Sequence, residues 1–360
     1  MVAFCRSSTT VYKTEEVIKM AETKFEVKIG TEAGARYGTY SLGKIAGTVP
    51  IQAPTSTNMN HLTPTQKKSV DYGSRIMEVF LWVDPAELSD VTVYRKELKK
   101  LKGWVENHPD MLCLVHIQGA KSKRITHQVN RVFVQLQVAA GMKFVKAYFK
   151  TKKDALKRLQ EYLEMLPEDC YLVPVLDENI EHETFRELYE VALGKTPIIG
   201  FLGRRPTAKG RDVLKNIGFI QRRSKDNVVR MVSEIPKKTA NQAAESFFRR
   251  WLGFDVYSFA TKRGSFQRPI EELEFFHGLQ FVKLRDNGSV PCVLTPGNTV
   301  MQSVKTYSGP NKSVPCSARS IVSLNDVFKR LGKEIEEKGI HAVLEQDIKN
   351  FSDALGALSQ

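Results

Sequence analysis

The chain has 360 residues, of which 42% are hydrophobic, and 54 Lys and Arg stand against 40 Asp and Glu for a formal net charge of +14. That size and apolar content suit one large globular domain with a small appendage and exclude a disordered or fibrous chain. No run of about 18 apolar residues is present, which argues against a membrane span, and the positive excess favours a polyanionic partner.

The opening MVAFCRSSTTVYKTEE has too short an apolar run for a secretory signal. Cys5, Cys113, Cys170, Cys292 and Cys316 are odd in number and scattered. That usage fits a reduced, cytoplasmic protein (host cytoplasm for a phage-encoded chain) and not a disulfide framework. Residues 1–46 are read as a covering segment and hairpin.

From about residue 47 a rhythm sets in. Short apolar runs recur: VPIQAPT (49–55), RIMEVFLWVD (75–84), MLCLVHIQG (111–119), MKFVKAYFK (142–150), CYLVPVLDEN (170–179), TPIIGFLG (196–203), NVVRMVSEIP (227–236) and FDVYSFA (254–260). Runs that are apolar on both faces read as buried parallel strands. Between them, DALKRLQEYLEML (154–166), HETFRELYEVALGK (182–195) and NQAAESFFRRWLG (241–253) carry the helical period. Eight strands alternating with helices predict an α/β fold, a (β/α)8 TIM barrel over 47–284. An open doubly wound sheet is the alternative, but it lacks a Gly-rich dinucleotide fingerprint. Residues 285–320 read as loop and 321–358 as helical, which makes 285–360 a small, loop-rich and helical C-terminal appendage.

In such a barrel the loops after the strands form the active face. Five of them are cationic: AKSKR (120–124), TKK (151–153), RRPTAKGR (204–211), KK (237–238) and TKR (261–263). Lys121, Lys123, Arg124, Lys152, Arg204, Arg205, Lys209, Lys237, Lys262 and Arg263 are therefore the expected phosphate-gripping set for a nucleic acid. Taken singly, each patch also reads as a solvated loop.

The same rule points to Asp84, His116, Gln118 and Asp177 near strand C-terminal ends. Asp84 before Pro85 equally suits a helix N-cap. Asp255 is different, because it lies inside the apolar stretch WLGFDVYSFATKRG (251–264). It reads either as a solvated charge at a helix-to-strand junction or as a catalytic carboxylate facing a polyanion.

Together these stretches resemble the tRNA-guanine transglycosylases. RYGTYSLGKIAGTVPIQAPTSTNMNHLTPTQ (36–66) is similar to that family's opening, TPIIGFLG to its Gly-rich sixth strand, and GFDVYSFATKRG (253–264) to its eighth-strand motif G-x-D-x-F-D-x-x-x-P-T-R. The resemblance implies a (β/α)8 barrel that replaces guanine in a nucleic acid with a 7-deazaguanine, such as 7-cyano-7-deazaguanine, through a covalent aspartyl intermediate. It implies Asp255 as nucleophile and Asp84 as general acid/base or base-positioning residue. It implies Asp177, Gln118, Gly200 and His116 in the substrate pocket. Counting from Gly253 instead puts the nucleophile position on Ser258. The family's D-S-G-G-F-Q is absent. No C-x-C or C-x-x-C accompanies Cys292, Cys316 and His341, so no cofactor is expected, with these three as the only zinc candidates. The missing cluster and the positive charge favour the DNA-modifying relatives of phages and bacteria, which protect DNA from restriction. Action on tRNA and a catalytically inactive nucleic-acid-binding barrel remain as alternatives, and a homodimer as the candidate assembly.

Overall fold

The computed structural model of the chain describes residues 25–32, 35–57, 72–117, 125–150, 154–203, 211–235, 253–259, 274–277 and 280–283, with Asn325, Lys329, Glu337 and Lys338 besides. Within these the chain begins with an antiparallel meander of β1 (Phe25–Glu32), β2 (Ala35–Leu42) and β3 (Ile45–Val49). Alternation sets its faces: Phe25 and Tyr40 are buried, while Glu26, Lys28 and Thr39 are exposed, the pattern of a sheet with one wet side. β2 turns into β3 over Gly43 and Lys44. Gly43 has a φ of 59°, which glycine adopts without a Cβ clash.

Eight strands follow: β4 (Ile51–Gln52), β5 (Ile76–Leu81), β6 (Leu112–Ile117), β7 (Phe144–Phe149), β8 (Tyr171–Asp177), β9 (Ile198–Leu202), β10 (Val229–Ile235) and β11 (Val256–Phe259). Five helices lie between them: α1 (Val91–Asn107), α2 (His127–Ala139), α3 (Ala155–Met165), α4 (His182–Leu193) and α5 (Arg211–Arg222). A hairpin of β12 (Glu274–His277) and β13 (Gln280–Lys283) comes last. Every residue of β5, β6 and β7 is buried, which is why these runs show no polar alternation. The helices start where the sequence can cap them. Asp90 accepts from Thr92 N at 2.8 Å and Val93 N at 3.0 Å ahead of α1, and Thr126 accepts from Val129 N at 3.3 Å ahead of α2. Each such cap is worth about 1 kcal/mol.

Two parallel ladders hold the strands. One runs in the order β4-β11-β10-β9-β8-β7, the other is β5-β6. They are linked just after β4, where Ser56 N donates to Glu78 O at 2.8 Å and Glu78 N donates to Pro54 O at 2.9 Å. On the other side no ladder joins β6 to β7 among the described residues. Two side chains of α2 take the place of a neighbouring strand there. Gln137 Nε2 donates to Lys146 O at 2.8 Å and Gln137 Oε1 accepts from Lys146 N at 2.8 Å. Asn130 does the same to Tyr148, at 3.1 Å and 3.0 Å. The edge of β7 is thus saturated by amides seven residues apart on one face of a helix.

The strands bury both faces. One packs on the helices: Val145, Leu172, Phe201 and Tyr257 with Leu159, Leu188 and Phe219, and Val79 and Val115 with Leu101 and Phe133. The other encloses Ile51, Ile76, Leu114, Phe144, Val173, Ile198, Met231 and Val256, closed off by Phe25, Tyr40 and Val49 of the meander.

The expected mixed α/β pattern is present, and each of the eight apolar runs carries a strand. The helices expected at 154–166 and 182–195 are α3 and α4. Periodicity did not single out α1, α2, α5 or the β12–β13 hairpin. The helix expected at 241–253 and the loop at 285–320 lie outside the described residues, apart from Gly253. So does most of 321–358, where Asn325, Lys329, Glu337 and Lys338 are helical.

Candidate functional site

The inner face of the strands carries an ionic layer. Ile76, Leu114, Phe144, Met231 and Val256 belong to the enclosed apolar core. Two residues further along each strand, on the same face, stand Glu78, His116, Lys146, Ser233 and Ser258. All five are fully buried. They therefore form a polar layer one step nearer the C-terminal ends of the strands.

Lys146 Nζ forms a close ion pair with Glu78 Oε1. Ser233 Oγ donates to the same oxygen at 2.5 Å and lies 3.3 Å from Lys146 Nζ. His116 Nδ1 stands 3.9 Å from Glu78 Oε1 and 3.1 Å from the Tyr148 hydroxyl, which also accepts from Ile117 N at 3.0 Å. Burial would raise the Glu78 carboxyl, but Lys146, His116 and Ser233 outweigh it and hold it below the usual carboxylate range. Glu78 Oε2 and Ser258 Oγ, both buried, make no hydrogen bond among the described residues. A carboxylate, an ammonium, an imidazole and two hydroxyls in one dry layer can hold, accept or relay protons.

Of this layer, His116 was expected as a site residue and Ser258 only as the alternative nucleophile position. The signal for the others was in the sequence: Glu78 and Lys146 are single charges in the middle of doubly buried runs, IMEVFL and FVKAYF. Such charges need a partner.

The remaining expected residues are spread apart. Asp177 ends β8 on the same face as Val173, is 4% exposed, and accepts from Asn179 N at 3.0 Å. Gly200 pairs with Val175 and Met231. A Cβ there would lie 3.0 Å from Val175 Cγ2, so close strand packing already explains the glycine. Asp84 is the N-cap of the turn Pro85–Ser89, accepting from Ala86 N at 3.2 Å.

Asp255 precedes β11, at the opposite end of the strand from the loops. Arg36 Nε donates to its Oδ1 at 2.9 Å, Arg36 Nη2 to its Oδ2 at 3.0 Å, and Arg230 N to Oδ2 at 2.9 Å. Both oxygens are taken, and the residue is fully buried. This is the bonding of a structural counter-ion, so Asp255 is not carried forward as a nucleophile.

Gln118, the ten expected phosphate-binding cations, and Cys292, Cys316 and His341 lie outside the described residues. Among the described residues, no group of three or more His, Cys, Asp or Glu is placed to hold a metal ion, and no helix is long and apolar enough to cross a membrane. No family model and no curated protein matches the chain. The likeness to the transglycosylases rests on the quoted motifs alone.

Proposed function

We propose that the chain is a (β/α)8-barrel enzyme that replaces guanine in a nucleic acid, DNA in preference to tRNA, with a 7-deazaguanine. The observation that carries this reading is the buried layer of Glu78, Lys146, Ser233 and His116 on the inner face of parallel strands, with Asp177 at a strand end beside it. Barrel enzymes build their sites at that end of the strands. Closure is supported by the strand order: β5 reaches β4 through Glu78, and β6 lies beside β7, so neighbours in space follow chain order.

In this reading Asp177 is the carboxylate that attacks the anomeric carbon as the guanine N-glycosidic bond breaks. The guanine leaves with a proton from a neighbouring acid. The incoming 7-deazaguanine then displaces the carboxylate and gives up its ring proton. The target nucleotide has to be extruded from a duplex to reach a site among strand ends. A second reading, a barrel that binds nucleic acid without exchanging bases, is favoured by the locked state of Asp255 and by Ser258 at the alternative nucleophile position.

The test is incubation of the chain with duplex DNA or tRNA and 7-cyano-7-deazaguanine, followed by nucleoside mass spectrometry. A deazaguanine nucleoside in DNA that is lost in Asp177→Asn supports the enzyme. Incorporation into tRNA alone shifts the substrate to tRNA. Retained polymer binding with no incorporation favours the binding-only barrel.

A further inference from the structure

The helices carry charge unevenly. α1 holds five cations, Arg95, Lys96, Lys99, Lys100 and Lys102, against two acids, Glu97 and Glu106, whereas α4 holds three acids, Glu183, Glu187 and Glu190, against Arg186. Lys100 is committed to the fold: its Nζ donates to Phe80 O at 3.0 Å and lies 3.5 Å from Glu97 Oε2. Arg95, Lys96, Lys99 and Lys102 are exposed, and none of them has an ion pair among the described residues. Surface cations elsewhere do find an acid: Arg186 bonds Glu183 at 3.2 Å, Arg223 bonds Glu190 at 2.8 Å, and Lys143 pairs with Asp169. Positions 95, 99 and 102 follow the i, i+4, i+7 pattern, so these three form one row about 10 Å long on the face opposite the buried Glu97 and Leu101. Like charges three and four residues apart on a helix repel each other. The row therefore adds nothing to the stability of the fold, and a bound polyanion would relieve it.

We infer that the Arg95, Lys99 and Lys102 row of α1 is a separate contact surface for a nucleic acid, one that holds phosphates on the flank of the molecule, away from the strand ends. Composition sets the partner's class. Val91, at the first position, is the one exposed apolar residue of the helix, while Tyr94, Leu98, Trp104 and Val105 pack on the core. A protein partner would call for an apolar or aromatic centre to the patch, and a helix lying on a membrane would turn its apolar face outward. A phosphate backbone calls only for cations that reach it. Position sets the partner's size. α1 starts beyond the C-terminal end of β5 and leads back to the start of β6, so Arg95 and Lys102 lie about 8 Å and about 18 Å along the helix axis from Asp90. A free base or mononucleotide at the strand ends does not span that distance, and a polymer does. The inference rests on the proposed function only in taking the polyanion to be a nucleic acid.

The test is fluorescence anisotropy of the full chain with a labelled DNA duplex and with a labelled tRNA, each over a salt series. The key variant combines Arg95→Gln, Lys99→Gln and Lys102→Gln. It should weaken binding of the preferred polymer more than tenfold at low salt and, for duplex, flatten the plot of log K against log salt by about 2.7. Its melting temperature should stay level or rise, because the like-charge row is gone. A control of equal charge combines Lys143→Gln, Arg186→Gln and Lys195→Gln, whose cations already bond Asp169, Glu183 and Gln160. It should leave the slope close to that of the wild type. Should the triple variant on α1 fold poorly, Lys99→Glu provides the second reading, with the slope falling by at least about 0.9. No binding of either polymer, an unchanged slope in the α1 variant, or equal losses in the variant and the control overturns the inference. So does loss of binding to phosphatidylserine vesicles with polymer binding intact, which makes the partner a lipid surface. Slope loss on α1 without base exchange into DNA or tRNA keeps the inference and sinks the proposed function. Exchange with an unchanged slope does the reverse.

Discussion

Arg36 and Asp255 stand 219 positions apart in the chain and meet in a fully buried two-point ion pair, at 2.9 Å and 3.0 Å. Arg36 also donates to Ser224 O, to Asp226 O at 2.9 Å and to Val228 O at 2.6 Å. One guanidinium from the antiparallel meander thereby ties β2 to the approach to β10 and to the start of β11. Burial would lower its pKa, but the Asp255 charge more than offsets that and raises it.

Removing one partner of such a pair strands the other charge. Asp255→Ala should lower unfolding free energy by about 3–5 kcal/mol, because Arg36 then stays buried without its counter-ion. Urea unfolding measures this directly. A variant that keeps wild-type stability and loses only activity would return Asp255 to the role of nucleophile.

The Asp255 case marks where the sequence is ambiguous. A charge inside an apolar run signals an obligate partner, but not whether the partner is a substrate or another side chain. The partner here is Arg36, far away in the chain, and no local pattern announces it. Glu78 and Lys146 carry the same signal and find each other. The strands were legible because a doubly buried run has no other reading at that length. The β6–β7 seam was not, because it depends on Asn130 and Gln137, two ordinary polar residues of a helix whose amides happen to face a strand edge.

That seam makes a separate prediction. Gln137→Leu removes the two amide bonds to the N–H and C=O of Lys146, and Asn130→Leu removes the two amide bonds to those of Tyr148. Each should cost about 1–3 kcal/mol or more per orphaned group. Hydrogen exchange should rise at the Lys146 amide in the first variant and at the Tyr148 amide in the second. Unchanged protection in both would mean that a β6–β7 ladder can form in place of the amides.

The Glu78–Lys146 pair fixes a pH dependence. The Glu78 carboxyl is lowered in the folded state. Its contribution is therefore fully present above the ordinary carboxylate range and is lost as pH falls through the lowered folded value. Lys146→Met removes the main opposing charge, so burial should then push the carboxyl upward. With the carboxyl raised above its unfolded value, this group should make the variant more stable as pH falls through that value, the opposite slope to the wild type. Urea midpoints collected across an acid series compare the two. Coincident curves would mean that Lys146 does not set the ionisation of Glu78.

The net charge of +14 makes the last prediction, and the sequence alone supports it, since the five cationic segments at 120–124, 151–153, 204–211, 237–238 and 261–263 lie outside the described residues, apart from Arg211. Each follows one of the parallel strands, so a barrel would gather them on one face. Every phosphate they neutralise releases counterions, and log K should fall with log salt by about 0.9 per contact on duplex DNA. Fluorescence anisotropy of labelled duplex over a salt series should give a steep line. Replacing Lys262 and Arg263 with Ala should flatten it by about 2, with little regard to sequence. An enzyme of a small anionic substrate would bind duplex weakly, with a shallow slope that the double variant does not change. That result would separate the charge from the ionic layer and leave the strands serving a different chemistry.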